Sequence, residues 1–153
     1  MDVYSSLKEY LLTNKVTFKE ITHAVGDTAE AYHQAVGCKY EQQLKCLLIR
    51  AKGENGKYYA IVTIPANKRL DLNGLKEKIK VKELRLANKD ELKQVTGCNF
   101  GELPPFAKLF NLNLIMDKDF LNEQEVYLNA GKVDVSFVVS PVDLQRVEQP
   151  TMI

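Results

Sequence analysis

From Gln42 to Arg50 the chain reads Gln-Gln-Leu-Lys-Cys-Leu-Leu-Ile-Arg, five aliphatic or cysteine residues with one lysine set among them. A half-exposed strand alternates apolar and polar residues, so a run this apolar specifies a central strand covered on both faces. The rest of the chain has to be arranged around it. Lys45 is the discordant residue. Side chains alternate along a strand, which puts Lys45 on the face of Leu47 and Ile49. An ammonium there is costly unless an anion meets it or its stem carries the charge to water. The residues leave both readings open: a solvent-open strand end, or an anion site with phosphate as the expected guest.

At 153 residues the chain is long enough for one domain with a sizeable core, spanning residues 1–153, and too short for two comfortable ones. Lys and Arg total 21 against 20 Asp and Glu, so no global charge draws the protein to duplex nucleic acid. Any such contact has to come from a local patch. No apolar run approaches the roughly 18 residues of a membrane span. Met1 to Glu9 lacks the basic-then-apolar order of a signal peptide, so the expected location is the cytoplasm, with no membrane partner. Cys38, Cys46 and Cys98 are odd in number, and no Cys-x-x-Cys pair occurs. With His23 and His33 ten residues apart, neither a zinc knuckle nor a redox pair is encoded. No metal and no cofactor are expected. Cys46 reads as a small hydrophobe, and a Cys–His hydrolase built from Cys38 or Cys98 with His23 has no local signature.

Val3, Leu7, Tyr10 and Leu11 share one helical face, which predicts a helix over 2–13. The β-branched and aromatic content of 16–22 predicts a short strand. Asp27-Thr28-Ala29-Glu30 reads as a capping box, opening a helix that stops at Gly37. The central strand then occupies 43–51. Asn55-Gly56 marks a hairpin turn into a strand over 58–64, so Lys45's strand gains an antiparallel neighbour. Leu72, Leu75 and Ile79 predict a helix over 71–80, Glu83 to Ala87 a short strand, and Asn88 to Glu91 a second capping box whose helix stops at Gly97. Strands are predicted at 112–116, 126–131 and 133–139. A last helix starts with Ser140 as cap and Pro141 in its first turn. The tail from Gln149 has no assigned role. Lysines 76, 78, 80 and 82 form the densest charge run, read as a solvated face with an RNA-backbone contact as the alternative.

The sum is six or seven strands mixed with four or five short helices. It predicts an α+β domain with one mixed, curled, barrel-like sheet flanked by short helices. The glycine-rich nucleotide loops, the His-Glu-x-x-His zinc motif and the Gly-x-Ser-x-Gly elbow are all missing. The irregular segment from Gly97 to Phe106 holds two glycines and the Pro104-Pro105 pair, so it is stiff. A stiff loop suits backbone groups held toward a ligand, and equally a rigid connector.

Taken in order, these motifs resemble a known group. The Gln42–Lys45 strand is followed by Thr96-Gly97-Cys98-Asn99-Phe100-Gly101-Glu102-Leu103-Pro104-Pro105-Phe106. Ile-Met-Asp at 115–117, Asn-Ala-Gly at 129–131 and Ser-Pro-Val-Asp-Leu at 140–144 come next. The pattern, from about Thr17 to Val147, resembles the YbaK/prolyl-tRNA-synthetase-associated domain family, the single-domain aminoacyl-tRNA deacylases. The resemblance implies hydrolysis of the ester between a wrong amino acid and the 3′ end of a tRNA, acting in trans. The acceptor end of aminoacyl-tRNA is the implied substrate, and a synthetase is a further candidate partner. It implies that Lys45 is the catalytic-site lysine beside the terminal adenosine. Gly101, Pro105 and Phe106 match the pocket loop, Asn129, Ala130 and Gly131 match a segment bordering the pocket, and His23 matches a position near the adenosine. Asp117 matches an acidic position without a stated role, as Asp134 does at a looser spacing.

Two positions depart from the pattern. Ala107 stands where a Gly often follows the Pro-aromatic pair, and Asn129 stands where Ser often precedes Ala-Gly. These changes bear on which amino acid is removed more than on the reaction. An aminoacyl ester is already activated, so a protein acting on it has mainly to orient it and stabilise developing charge. The competing expectations are a non-catalytic module of the same fold that holds tRNA, a nucleotide or a synthetase, and a metabolic enzyme with a small anion at Lys45.

Overall fold

The computed structural model describes all 153 residues. In chain order the elements are α1 (Val3–Thr13), β1 (Phe18–Thr22), α2 (Ala29–Val36), β2 (Leu44–Gly53), β3 (Gly56–Pro65), α3 (Leu72–Ile79), β4 (Glu83–Leu86), α4 (Lys89–Thr96), β5 (Asn113–Met116), β6 (Val126–Asn129), β7 (Val135–Val139), α5 (Pro141–Glu148) and β8 (Thr151–Met152). The β2–β3 hairpin is the frame. Its strands pair along their whole length, from Leu44 opposite Pro65 to Gly53 opposite Gly56. The turn therefore centres on Glu54 and Asn55, and Gly56 takes its positive φ of 109° one residue later than an Asn-Gly turn requires.

The expected single curled, barrel-like sheet does not form. Eight strands make two open sheets, one of five in the order β4-β2-β3-β5-β8 and one of three in the order β1-β7-β6. An isolated parallel bridge between Gln43 and Tyr127 connects them. Closing a sheet needs strands long enough to tilt and stagger around an axis. Outside the ten-residue hairpin none exceeds five residues, so the ladders end before they can close. The mixed pairing does hold: β2, β3 and β4 are antiparallel, whereas β5 joins β3 and β8 joins β5 in parallel. β8, in the tail, is too short to leave a periodic signal. It is held by Ile153 donating to the Met116 carbonyl at 2.9 Å and accepting from Lys118 at 2.8 Å.

The main core lies between the sheets. Leu48, Ile61 and Met116 of the larger sheet meet Leu128, Phe137 and Val139 of the smaller one, with Leu7 and Leu11 of α1 closing one side. Each such burial contributes about 1.5–3 kcal/mol. A second cluster, Ile49, Ala60, Val62, Ile64, Leu75 and Ile115, seats α3 on the outer face of the larger sheet. At Leu48 and Ile49, then, β2 is covered on both sides as its composition demands. Its N-terminal half is different. β4 pairs only with Ile49 to Lys52, and the Ala87 amide donates to Leu48 at 2.8 Å as the chain turns away. The turn is enforced by the Asn88–Glu91 capping box that starts α4. Between there and the Gln43 bridge, this edge of β2 has no partner strand.

Candidate active site

The unpaired edge of β2 is the floor of a cleft of about 330 Å³. Gln43, Leu44, Lys45, Cys46 and Leu47 line it from β2. Gly26 to Ala29 line one side, and Phe100, Gly101, Leu103 and Asn129 the other. Lys45 is the second residue of β2 and is exposed. It makes no ion pair. Its charge thus stays in water at the open end of the strand, at no desolvation cost, and is available to an anion.

Asn129, at the end of β6, draws the two walls together. Its side-chain amide donates to the carbonyl of Gly26 at 3.1 Å and to the carbonyl of Gly101. Gly101 has φ of 86°, and a Cβ there would lie 3.0 Å from the Cα and carbonyl oxygen of Asp27. Both the left-handed backbone and the close approach require glycine. The lip is tightened by Glu102, whose amide donates to Asn99 O while its carboxylate accepts from the Asn99 amide. The amides of Phe100 and Gly101 donate to no group in the protein.

Behind Asn129 lies a polar cluster. Tyr32 donates to Ser136 Oγ at 2.7 Å, and His23 Nε2 lies 2.7 Å from the same oxygen. His23 Nδ1 is 2.6 Å from the carbonyl of Ala24, which can only accept, so in the neutral ring Nε2 accepts from the Ser136 hydroxyl. This His–Ser pair has the spacing of a catalytic dyad, but Ser136 is completely buried and cannot meet a substrate. The cluster lies against Asn129, with Ser136 Oγ 3.4 Å from Asn129 Oδ1; with the hydroxyl proton on the His23 side, this is a contact and not a hydrogen bond.

Of the residues singled out in the sequence, Lys45, Gly101 and Asn129 come together on the cleft surface. Pro105, Phe106, Ala130, Gly131 and His23 do not line it. Pro105 is buried behind the lip, and Phe106, fully buried, packs edge-to-face with Tyr10 at 6.0 Å. Ala130 is in the main core, and Gly131 passes under α1, where a Cβ would meet Val3 at 2.8 Å. His23 lies behind the cleft, against Ser136. Asp117 is a clasp, 2.9 Å from Lys68 Nζ, and also takes the Asp119 amide at 2.8 Å. Asp134 is an exposed loop residue whose carbonyl accepts from the His23 amide at 2.9 Å.

The residues that sequence reasoning passed over are instructive. Gln43 is only 6% exposed, and its side-chain oxygen is buried at the cleft without a hydrogen-bond partner. Asp27 and Thr28 read as a helix start. Thr28 is the actual cap of α2, its hydroxyl accepting from Ala31 at 3.1 Å, which leaves Asp27 free on the cleft wall. Cys46 lines the cleft, yet burial pushes its thiol up to about 12, against a weak bond to Thr63 Oγ1 at 3.6 Å. Burial likewise raises Cys38 and Cys98 to about 11. None of the three is poised as a thiolate nucleophile.

The family model of the aminoacyl-tRNA editing domain matches residues 23–147. The multifunctional Ser/Thr-tRNA deacylase ProXp-y of Escherichia coli K12 is 29% identical over 137 residues, covering 89% of this chain and 82% of its own. A crystal structure of a proposed trans-editing enzyme for prolyl-tRNA synthetase is similar at a TM-score of 0.81 and 26% identity, over 100% of this chain and 96% of that one. The hypothetical protein APE2540 has the same fold, at a TM-score of 0.86 and 24% identity over 96% of each chain.

Proposed function

The chain belongs to the aminoacyl-tRNA editing domain family, and on that premise we propose how its cleft works. The protein is a trans-editing aminoacyl-tRNA deacylase, which hydrolyses the ester of a mischarged tRNA. The observation that carries the mechanism is the convergence of Lys45, Gly101 and Asn129 on one cleft. Lys45 holds the ribose-phosphate of the terminal nucleotide. Gly101, fixed by Asn129, presents its amide and that of Phe100 to the ester oxygen as negative charge develops there. Gln43, with an unpartnered carbonyl oxygen, takes a hydrogen-bond donor of the substrate.

Water attacks the ester carbonyl and the bond to the ribose oxygen breaks. The ribose hydroxyl recovers a proton and the free amino acid leaves. No protein nucleophile is used: Cys46 is held protonated and Ser136 is sealed off. The substrate's own 2′-hydroxyl and α-amino group assist, and the protein contributes orientation and charge stabilisation. An aminoacyl-tRNA synthetase is the proposed supplier of the substrate. The test is a deacylation panel with alanyl-, cysteinyl-, seryl-, threonyl- and prolyl-tRNA. We expect at least one to lose its amino acid faster than in buffer. Binding of uncharged tRNA with no turnover on any of them would instead make the protein a binding module.

A further inference from the structure

The cleft continues beyond Lys45. Three depressions follow one another along β2. The first is the cleft itself, at residues 43–47. The second is an apolar hollow along Cys46 to Leu48, walled by Leu86, Leu92 and Phe100. It shares Cys46, Leu47 and the Phe100–Gly101 lip with the cleft, so the two adjoin. The third is a pit lined by Arg50, Lys52, Lys57 and Arg85, with Glu83 the one acid among its lining residues. Glu91 neutralises Arg85, accepting from both of its guanidinium nitrogens. Arg50, Lys52 and Lys57 make no ion pair. Lys52 and Lys57 are cross-strand neighbours, and Arg50 lies two residues before Lys52 on the same face, so the three charges form one patch.

The middle hollow carries a second signal. Phe100 is 60% exposed and Leu86 45% exposed, and the two border the same hollow, an exposed apolar pair at one place and not singly scattered side chains. An exposed aromatic ring beside a basic track is the combination that holds single-stranded nucleic acid: a base stacks on the ring while cations follow the backbone. From Lys45 to Lys52 the strand advances about 23 Å at ~3.3 Å per residue, long enough for several nucleotides to follow its edge.

Resting on the deacylase reading of the cleft, we infer that β2 carries the acceptor arm of the tRNA. The unpaired 3′ end crosses the apolar hollow with a base against Phe100. Stem phosphates lie at Arg50, Lys52 and Lys57. Lys76 and Lys78 are not part of this surface: they belong to α3, whose Leu75 packs with Ile49 and Val62 on the sheet face opposite Arg50.

The test is the affinity for uncharged tRNA over a salt series, read without turnover. The triple variant Arg50→Glu, Lys52→Glu, Lys57→Glu should bind at least about 30-fold more weakly. Its log–log salt slope should be shallower by two to three, the number of phosphate contacts removed. The neutral variant with Gln at all three positions should lose affinity in the same direction by a smaller factor, which separates lost contacts from misfolding. Hydrolysis of an aminoacyl ester of adenosine alone, too small to reach the pit, should be equal in the parent and both variants. Unchanged tRNA affinity and salt slope in the triple variant would overturn the surface. So would an equal loss from Lys76→Glu with Lys78→Glu. A parent that binds tRNA through these residues but hydrolyses nothing would refute the deacylase reading and leave the surface standing.

Discussion

The side-chain amide of Asn129 donates to the carbonyl of Gly101 and, at 3.1 Å, to that of Gly26, so one residue at the end of β6 sets the width of the cleft. Neither carbonyl has another partner in the protein. Asn129→Ala removes both bonds and leaves two acceptors unpaired, at buried Gly26 and half-buried Gly101, at a cost of about 1–3 kcal/mol. The urea midpoint should fall accordingly. Deacylation should fall further than stability does, because Gly101 loses its fixed orientation. Asn129→Ser, with one donor in place of two, should lie between Ala and the parent in both measurements.

Gly101 can be tested against an internal control. Gly37 has nearly the same backbone, φ 80° against 86°, but nothing lies within 4 Å of a Cβ built there. Gly37→Ala therefore reports the left-handed cost alone, about 1–2 kcal/mol. Gly101→Ala adds contact with the Asp27 backbone at 3.0 Å. We expect Gly101→Ala to be the more destabilising in chemical denaturation. It should abolish most deacylation, and Gly37→Ala should leave kcat unchanged.

Local signals were legible where the cause was local. Asn88–Glu91, Gly37 and Gly97 announced helix ends that the structure reproduces. The apolar run at 42–50 announced a strand covered on both faces, which holds at Leu48 and Ile49 and ends at the half-exposed Arg50. Sheet closure was not legible, because it depends on how far each ladder extends and not on any one strand's pattern. The same holds for the cleft. Lys45, Gly101 and Asn129 stood out by motif, but Pro105 and Phe106 share the loop and turn inward to the core. Which loop residues face a cavity is decided by tertiary packing, here by Phe106 against Tyr10. Gln43 carried no signal, since an unpartnered buried amide becomes visible only when its surroundings are known.

That amide leads to a prediction with opposite signs. Gln43 is nearly buried and its oxygen has no partner in the free protein. A buried polar group left unsatisfied costs about 1–3 kcal/mol. Gln43→Met keeps the side chain's length and removes the polar atoms. It should raise the urea midpoint while slowing deacylation through a higher KM. A Met variant that is less stable than the parent would show the amide to be a structural element instead.

Lys45 should behave in the opposite way, affecting activity alone. It is exposed and unpaired, so Lys45→Ala should leave the thermal midpoint unchanged. A charge-assisted contact to phosphate is worth about 1.5–3 kcal/mol, so kcat/KM should fall about 10- to 100-fold. Lys45→Arg keeps the charge and should recover part of the loss. Equal rates for Lys45→Ala and the parent would remove the lysine from the mechanism.

Stability toward acid should depend on Glu91. The guanidinium of Arg85, then the hydroxyl of Tyr59 and the amide of Asn88, hold its carboxyl well below the usual carboxylate range. Unfolding releases those contacts, so the unfolded chain binds a proton at higher pH than the folded one does. The contribution is fully present above the ordinary carboxyl pKa of about 4.3 and is lost as pH falls through the folded value. Glu91→Gln abolishes this linkage. The parent's urea midpoint should exceed the variant's at pH 7, and the gap should narrow steadily below about pH 4.3. A gap that stays constant down to pH 3 would mean that the Arg85–Glu91 contact stabilises the start of α4 by geometry and not by charge.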